Sequence, residues 1–161
     1  MLFRSHVEGL VAAQVRFVVI GGVAAALQGS ERLTLDLDIC YDPAADNRER
    51  LAERLRRWNA HLRGVERGLP FTLDARTLRD VPVLTLTTDL GDLDVMDRVA
   101  GVGDYRAVRR ASVEVDVDGL RFRALSLEGL IAAKRATGRP RDREQLPELT
   151  ALLELRKKRD R

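Results

Sequence analysis

The chain has 161 residues, 45% of them hydrophobic, 33% charged and 4% aromatic, with a formal net charge of +3. Such a length suits a single domain over 1–161 whose core removes roughly two-thirds of the unfolded surface from water. The small basic excess permits contact with nucleic acid without demanding it, and so few aromatic residues argue against a simple RNA-binding sheet studded with stacking side chains. The longest apolar run, Phe17 to Leu27, is interrupted by Gly21 and Gly22 and is too short to span a bilayer, so no membrane is expected. Arg4, His6, Glu8 and Arg16 break up the N-terminal segment; no signal peptide is read, and the cytoplasm is the expected compartment. Cys40 is the single cysteine, which leaves no internal disulfide and gives it the expected role of a small buried apolar residue.

In chain order, Ser5 and Glu8 stand in capping-box spacing, and a helix to about Val15 is expected to bury Val7, Leu10 and Val11. Val18-Val19-Ile20 reads as a buried strand ending at Gly21-Gly22, and Val23 to Leu27 as a short helix whose first turn offers free backbone N–H groups to phosphate. From Thr34 to Tyr41 the pattern alternates, so Leu35, Leu37 and Ile39 face one way and Asp36 and Asp38 the other. Asp42-Pro43 opens a long helix to about Leu62 with Leu51, Leu55, Trp58 and Leu62 at helical spacing. Its Arg50, Arg54 and Arg57 read as a solvated face, with Asp46 and Glu53 placed to pair at i, i+4.

Gly64 to Asp80 is irregular and reads as loop with at most a short strand or helical turn. Val83 to Thr88 and Asp92 to Asp97 form a hairpin around Asp89-Leu90-Gly91, with Asp92 and Asp94 on one face. A second hairpin, Val113 to Val117 and Leu120 to Ala124, turns at Asp118-Gly119. Counting from that turn pairs Asp116 with Arg121 and Glu114 with Arg123 as cross-strand ion pairs. Two helices follow, Ser126 to about Thr137 and one carrying Leu146, Leu149, Leu152 and Leu153, before a basic, frayed tail over 156–161. His6 and His61 stand apart from every motif.

Three carboxylates in one cleft raise one another's pKa unless a cation lies between them. Mg2+ suits Asp36, Asp38 and Asp94, because it prefers oxygen ligands and is completed by substrate phosphates; one or two ions would serve an attack on a nucleoside triphosphate. Asp92 shares the face and competes with Asp94 for the third place. Lys134 lies at i+7 on the apolar stripe of Leu127, Leu130 and Ile131, where it either snorkels to solvent or reaches a phosphate. If it holds phosphate, Lys134→Met is expected to preserve or raise stability. Asp142, three residues before Gln145, reads as an N-cap.

Ile20-Gly21-Gly22, the spacer and Asp36-Leu37-Asp38-Ile39 together resemble the signature of the DNA polymerase beta-like nucleotidyltransferase superfamily. Gly91-Asp92-Leu93-Asp94 resembles the return strand that carries its third acid, which favours Asp94 as metal ligand and proton acceptor. Leu130-Ile131-Ala132-Ala133-Lys134 with Gly138-Arg139-Pro140-Arg141-Asp142 is similar to the C-terminal segment of small prokaryotic nucleotidyltransferases, among them relatives of abortive-infection toxin enzymes. By that resemblance Lys134 contacts the triphosphate, Arg139 and Asp142 position the last helices or the substrate, and Arg32 and Thr34 belong to the nucleotide site. Arg32 reads otherwise as a loop cation; Thr34 points to the same side as Asp36, where its hydroxyl either orients a carboxylate or belongs to a β-branched residue that simply opens the strand.

The resemblance implies an α/β fold with a mixed, mainly antiparallel sheet flanked by helices, and transfer of a nucleoside monophosphate to RNA such as tRNA or to a protein. An antibiotic is a third acceptor class. A cognate toxin or antitoxin, or a second copy of the chain, is the partner it would imply. The alternative is a non-catalytic nucleotide-binding or toxin-neutralising module.

Overall fold

The computed structural model describes residues 3–66, 68 and 70–161; Arg67 and Leu69, within the stretch read as loop, lie outside the described residues. The elements in order are α1 (Arg4–Ala12), β1 (Phe17–Ile20), α2 (Gly21–Leu27), β2 (Leu37–Tyr41), α3 (Ala45–Arg57), β3 (His61–Leu62), α4 (Ala75–Asp80), β4 (Val83–Thr88) and β5 (Gly91–Met96). They continue with β6 (Arg98–Val99), β7 (Gly103–Asp104), α5 (Tyr105–Arg110), β8 (Ser112–Val117), β9 (Leu120–Leu125), α6 (Leu127–Thr137) and α7 (Pro140–Arg159). Among the described residues, seven strands make one sheet in the order β3-β4-β5-β2-β1-β9-β8, and β6 and β7 make a separate small ladder. Pairings β3–β4, β4–β5, β1–β2 and β8–β9 are antiparallel, while β2–β5 and β1–β9 are parallel. The expected mixed, mainly antiparallel sheet with flanking helices is the fold.

β1 has every residue buried, which explains its unbroken apolar run: a central strand covered on both faces needs no polar alternation. The β4–β5 hairpin does alternate, with Leu84, Leu86, Leu93 and Val95 in the core and Thr85, Thr87, Asp92 and Asp94 on the other face. Leu51 and Leu55 of α3, Val7 and Leu10 of α1, and Leu127 and Leu130 of α6 join the same core. The Cys40 thiol is buried there, and burial pushes its pKa up to about 12, so it is an inert packing group.

Several expectations are corrected by tertiary contacts. α1 has Phe3 rather than Ser5 at its N-cap, Glu8 pairs with Arg4, Val11 is exposed, and His6 takes the buried place. There its Nε2 meets Thr88 Oγ1 at 2.9 Å and its ring stands edge-on to Trp58. β2 begins at Leu37, because Glu148 on α7 accepts from Ser30 Oγ and Glu31 N and draws the preceding loop off the sheet. Leu33 and Leu35 are therefore exposed.

α3 ends at Arg57; Asn59, at φ +51, turns the chain so that His61 and Leu62 pair with Thr87 and Leu86 as a strand. The expected arginine face does pair, Arg50 with Asp46 and Arg57 with Glu53. In the β8–β9 hairpin the predicted register is observed and Arg121 pairs with Asp116, but Arg123 donates to Ser112 Oγ and O in place of Glu114. The basic tail is helical to Arg159, and Arg156 is tied to Gln28 Oε1 at 2.9 Å. No described helix is long and apolar enough to cross a membrane.

Candidate active site

Sheet register assembles the site. Asp38 stands opposite Ile20, the last residue before the glycine turn, on one side and opposite Asp94 on the other. Gly21 adopts φ +65, and a Cβ at that position would run into Asp38 Oδ2. Glycine is what lets the turn lie against the carboxylate. At Gly22 a Cβ would lie 2.8 Å from Thr34 Oγ1, so the loop after α2 closes down on the turn. Thr34 donates to the Asp36 carbonyl oxygen at 3.3 Å, not to a carboxylate as the alternation implied.

One cleft of about 330 Å³ gathers the residues singled out from the sequence. The turn contributes Gly21 and Gly22, the following loop Arg32, Thr34 and Asp36, β2 Asp38, β5 Asp94, and α6 Lys134. Helix α7 closes it with Arg141, Asp142 and Gln145, and Arg139 just before α7 joins them. Asp94, not Asp92, reaches this cleft; Asp92 accepts from Thr87 Oγ1 at 2.9 Å outside it. His61 lies in a different hollow beside Asn59 and Asp89.

The Asp38 carboxyl is pushed up to about 7, first by burial, then by the charge and hydrogen-bond proximity of Asp94, then by Asp36. Two acids in contact in a half-dry cleft call for a cation. Among the described residues, however, no three His, Cys, Asp or Glu side chains are gathered closely enough to form a metal cage. The expected convergence of three carboxylates is thus a contacting pair, Asp38 and Asp94, with Asp36 to one side. This donor set fits Mg2+, a hard ion usually held by one or two carboxylates and finished by phosphate oxygens and water.

Lys134 neither snorkels nor stands free. Its Nζ donates to Asp142 Oδ1 at 3.0 Å, and Arg139 Nε and Thr137 Oγ1 donate to Oδ2 of the same carboxylate at 2.9 and 2.6 Å. Burial alone would raise the pKa of Asp142, but these three donors hold it well below the usual carboxylate range. Asp142 therefore lies inside the first turn of α7, whose N-cap is Arg139, and not at the cap. Arg32 Nη2 is 4.0 Å from Glu144 Oε2 at the cleft mouth.

Residues 6–155 match the family described as "Nucleotidyltransferase of unknown function (DUF6036)". The chain belongs to this nucleotidyltransferase family. No curated protein matches the chain. Among solved structures, the nucleotidyltransferase fold is shared with the lincosamide antibiotic adenylyltransferase LnuA in its lincomycin-bound form, at 13% identity and a TM-score of 0.59 over 94% of this chain and 96% of that one. The nucleotidyltransferase-like TM1012 of Thermotoga maritima gives 18% identity and a TM-score of 0.55 over 93% and 91%. An antigenic nucleotidyltransferase-like protein of Paracoccidioides brasiliensis gives 16% and 0.51 over 94% and 73%. At these identities the likeness is one of fold.

Sequence reasoning missed Arg63 of this nucleotidyltransferase. It follows β3, between the end expected for the long helix and the irregular stretch, where no periodicity or motif marks it, yet its guanidinium reaches three of the acids. Nη2 donates to Asp94 Oδ1 at 2.7 Å and to Leu86 O at 2.8 Å, Nε is 3.3 Å from Asp92 Oδ2, and Nη1 is 4.0 Å from Asp36 Oδ2. Burial would lower its pKa, but the charges of Asp94, Asp92 and Asp36 outweigh that and raise it. Gln145 was also missed; it is buried at the cleft wall one turn beyond Asp142.

Proposed function

We propose that this nucleotidyltransferase transfers a nucleoside monophosphate from a nucleoside triphosphate to an acceptor hydroxyl or phosphate, dependent on Mg2+, with one domain doing the work in the cytoplasm. The observation that carries the reading is the cleft itself, where a glycine turn, three aspartates and a lysine from five separate segments meet. Asp36, Asp38 and Asp94 would hold Mg2+, which when bound neutralises phosphate charge and favours the nucleophilic form of the acceptor.

The chain's own groups do the rest. Gly21 and Gly22 let the turn lie against Asp38 and Thr34 at the cleft wall; Arg32 and Arg141 offer the triphosphate cations, and Lys134 and Arg139 would turn from Asp142 to the phosphates when the nucleotide enters. The acceptor oxygen bonds to the α-phosphorus, the α–β anhydride bond breaks, pyrophosphate leaves, and Asp94 on the acceptor side takes the proton. Positioning and charge stabilisation supply most of the rate.

RNA such as tRNA, or a protein side chain in a toxin–antitoxin or defence system, is the first acceptor reading. A small hydroxylated molecule is the second, favoured by the exposed Leu33 and Leu35 beside the cleft and by the lincosamide acceptor named for LnuA.

The test uses purified protein, Mg2+ and each of the four α-labelled nucleotides against pools of tRNA, protein and aminoglycoside or lincosamide acceptors. Label should pass to one pool with release of pyrophosphate, and Asp36→Asn with Asp38→Asn should abolish both while the fold stays intact and its thermal melt is unchanged or raised by relief of repulsion. If the double variant binds Mg2+-nucleotide as tightly as the unaltered protein, the site lies elsewhere.

A further inference from the structure

Arg63 is not among the residues that line the nucleotide cleft; it reaches Asp94 from the β3–β4 edge of the sheet. Its backbone N–H donates to Thr85 O at 3.0 Å, which extends the β3–β4 ladder by one residue and fixes where the side chain starts. The guanidinium then spends its Nη2 donors on Leu86 O and Asp94 Oδ1. Nε is buried and, although 3.3 Å from Asp92 Oδ2, is not aligned for a hydrogen bond. Toward Asp92 and Asp36, therefore, the guanidinium acts through its charge and not through a hydrogen bond.

Two consequences follow from that placement. With Oδ1 of Asp94 anchored by Arg63, the remaining oxygen of that carboxylate is the one left for Asp38 and for the cleft. A fixed positive charge in contact with Asp94, and within 4.0 Å of Asp36, also opposes any divalent ion that approaches the same acids without a counter-charge of its own. A triphosphate brings that counter-charge.

Building on the functional reading above, we propose that Arg63 is a positioning residue that fixes Asp94 and keeps the acids' affinity for a bare divalent ion low, so that the ion binds firmly only together with nucleoside triphosphate. A free ion at millimolar concentration would then leave the site ready for the ion–nucleotide pair.

The experiment is a Mn2+ titration followed by electron paramagnetic resonance, without nucleotide and with a non-hydrolysable ATP analogue, on the full chain and on Arg63→Met, Arg63→Gln and Arg63→Lys. Removing the charge in Arg63→Met should tighten bare Mn2+ by about tenfold, a modest outcome for a unit charge a few ångströms from a divalent ion in a partly hydrated cleft. Arg63→Gln keeps an N–H donor for Asp94 and should tighten it equally, which covers a Met variant that folds poorly. Arg63→Lys should return the affinity to within about twofold of the parent. The analogue's gain in Mn2+ affinity should shrink in the two uncharged variants.

Unchanged or weaker Mn2+ binding in both uncharged variants, with melts close to the parent, would overturn the proposal and leave Arg63 as a pin for the loop after β3. Asp38→Asn separates this from a failure of the functional reading. If Asp38→Asn binds Mn2+ with the analogue present as the parent does, the acids are not the ion site and both fall; if it loses that Mn2+ while Arg63→Gln matches the parent with and without the analogue, only the role of Arg63 falls.

Discussion

Gly21 shows how much of the site hangs on a missing side chain. Its φ of +65 strains any L-residue, and its Cβ position is already taken by the Asp38 carboxylate. Gly119 offers a matched comparison, with φ +85 and nothing within 4 Å of its Cβ position. Gly119→Ala should therefore cost only the left-handed strain, about 1–2 kcal/mol. Gly21→Ala should cost about 1–3 kcal/mol more, because Asp38 or the strand must shift. Urea denaturation in metal-free buffer measures both. The excess should fall in an Asp38→Gly background, and an equal cost at the two glycines would mean that the carboxylate yields freely.

At the scale of elements, the junction between α6 and α7 is organised by one buried carboxylate. The Asp142 side chain is 3% exposed and that of Lys134 20% exposed, so this pair is shielded well enough to matter. Lys134 on an apolar stripe looked replaceable by methionine without harm, but the ion pair reverses that expectation. Lys134→Met should destabilise the protein by about 1–3 kcal/mol, since Asp142 keeps Arg139 and Thr137 but loses its least exposed cation. Asp142→Asn should remove most of that penalty, and a double-mutant cycle by chemical denaturation reads the coupling. Additive effects would show that Lys134 is free to serve the cleft alone.

For the molecule as a whole, the buried His6 and the half-buried Asp38 give stability opposite slopes with pH. Burial lowers the pKa of His6 from 6.5 to about 4, so its neutral form supports the fold above pH 6.5 and that support is lost as pH falls toward 4. Burial with Asp94 and Asp36 raises Asp38 from 3.8 to about 7, so its contribution is intact below pH 4 and is lost as pH rises through 7. Between pH 4 and 6.5 the two trends oppose each other, and thermal melts of the metal-free protein should be nearly flat there. Asp38→Asn should unmask a melting temperature that climbs with pH over that window, and at pH 8 it should stabilise by on the order of 2 kcal/mol. A variant that still melts along the parent's profile would mean that Asp38 ionises normally.

The sequence by itself determined what depends on local pattern. β1 reads as a central strand because all four residues are apolar, β8 and β9 pair in the counted register because Asp118-Gly119 leaves one turn geometry, and Ile20-Gly21-Gly22 with Asp36-Leu37-Asp38 points to the candidate cleft in which those residues meet. Tertiary structure decided what no local pattern encodes. Glu148 on the last helix cuts β2 back to Leu37, His6 takes a core place because Trp58 and Thr88 meet it there, and Asp142 moves from cap to counter-ion because Lys134 lies across from it. Arg63 was invisible for the same reason: its partners are 29 to 31 residues away at Asp92 and Asp94. Only the parallel register of β2 with β5, and the return of β3 to the edge of β4, bring that charge to those acids.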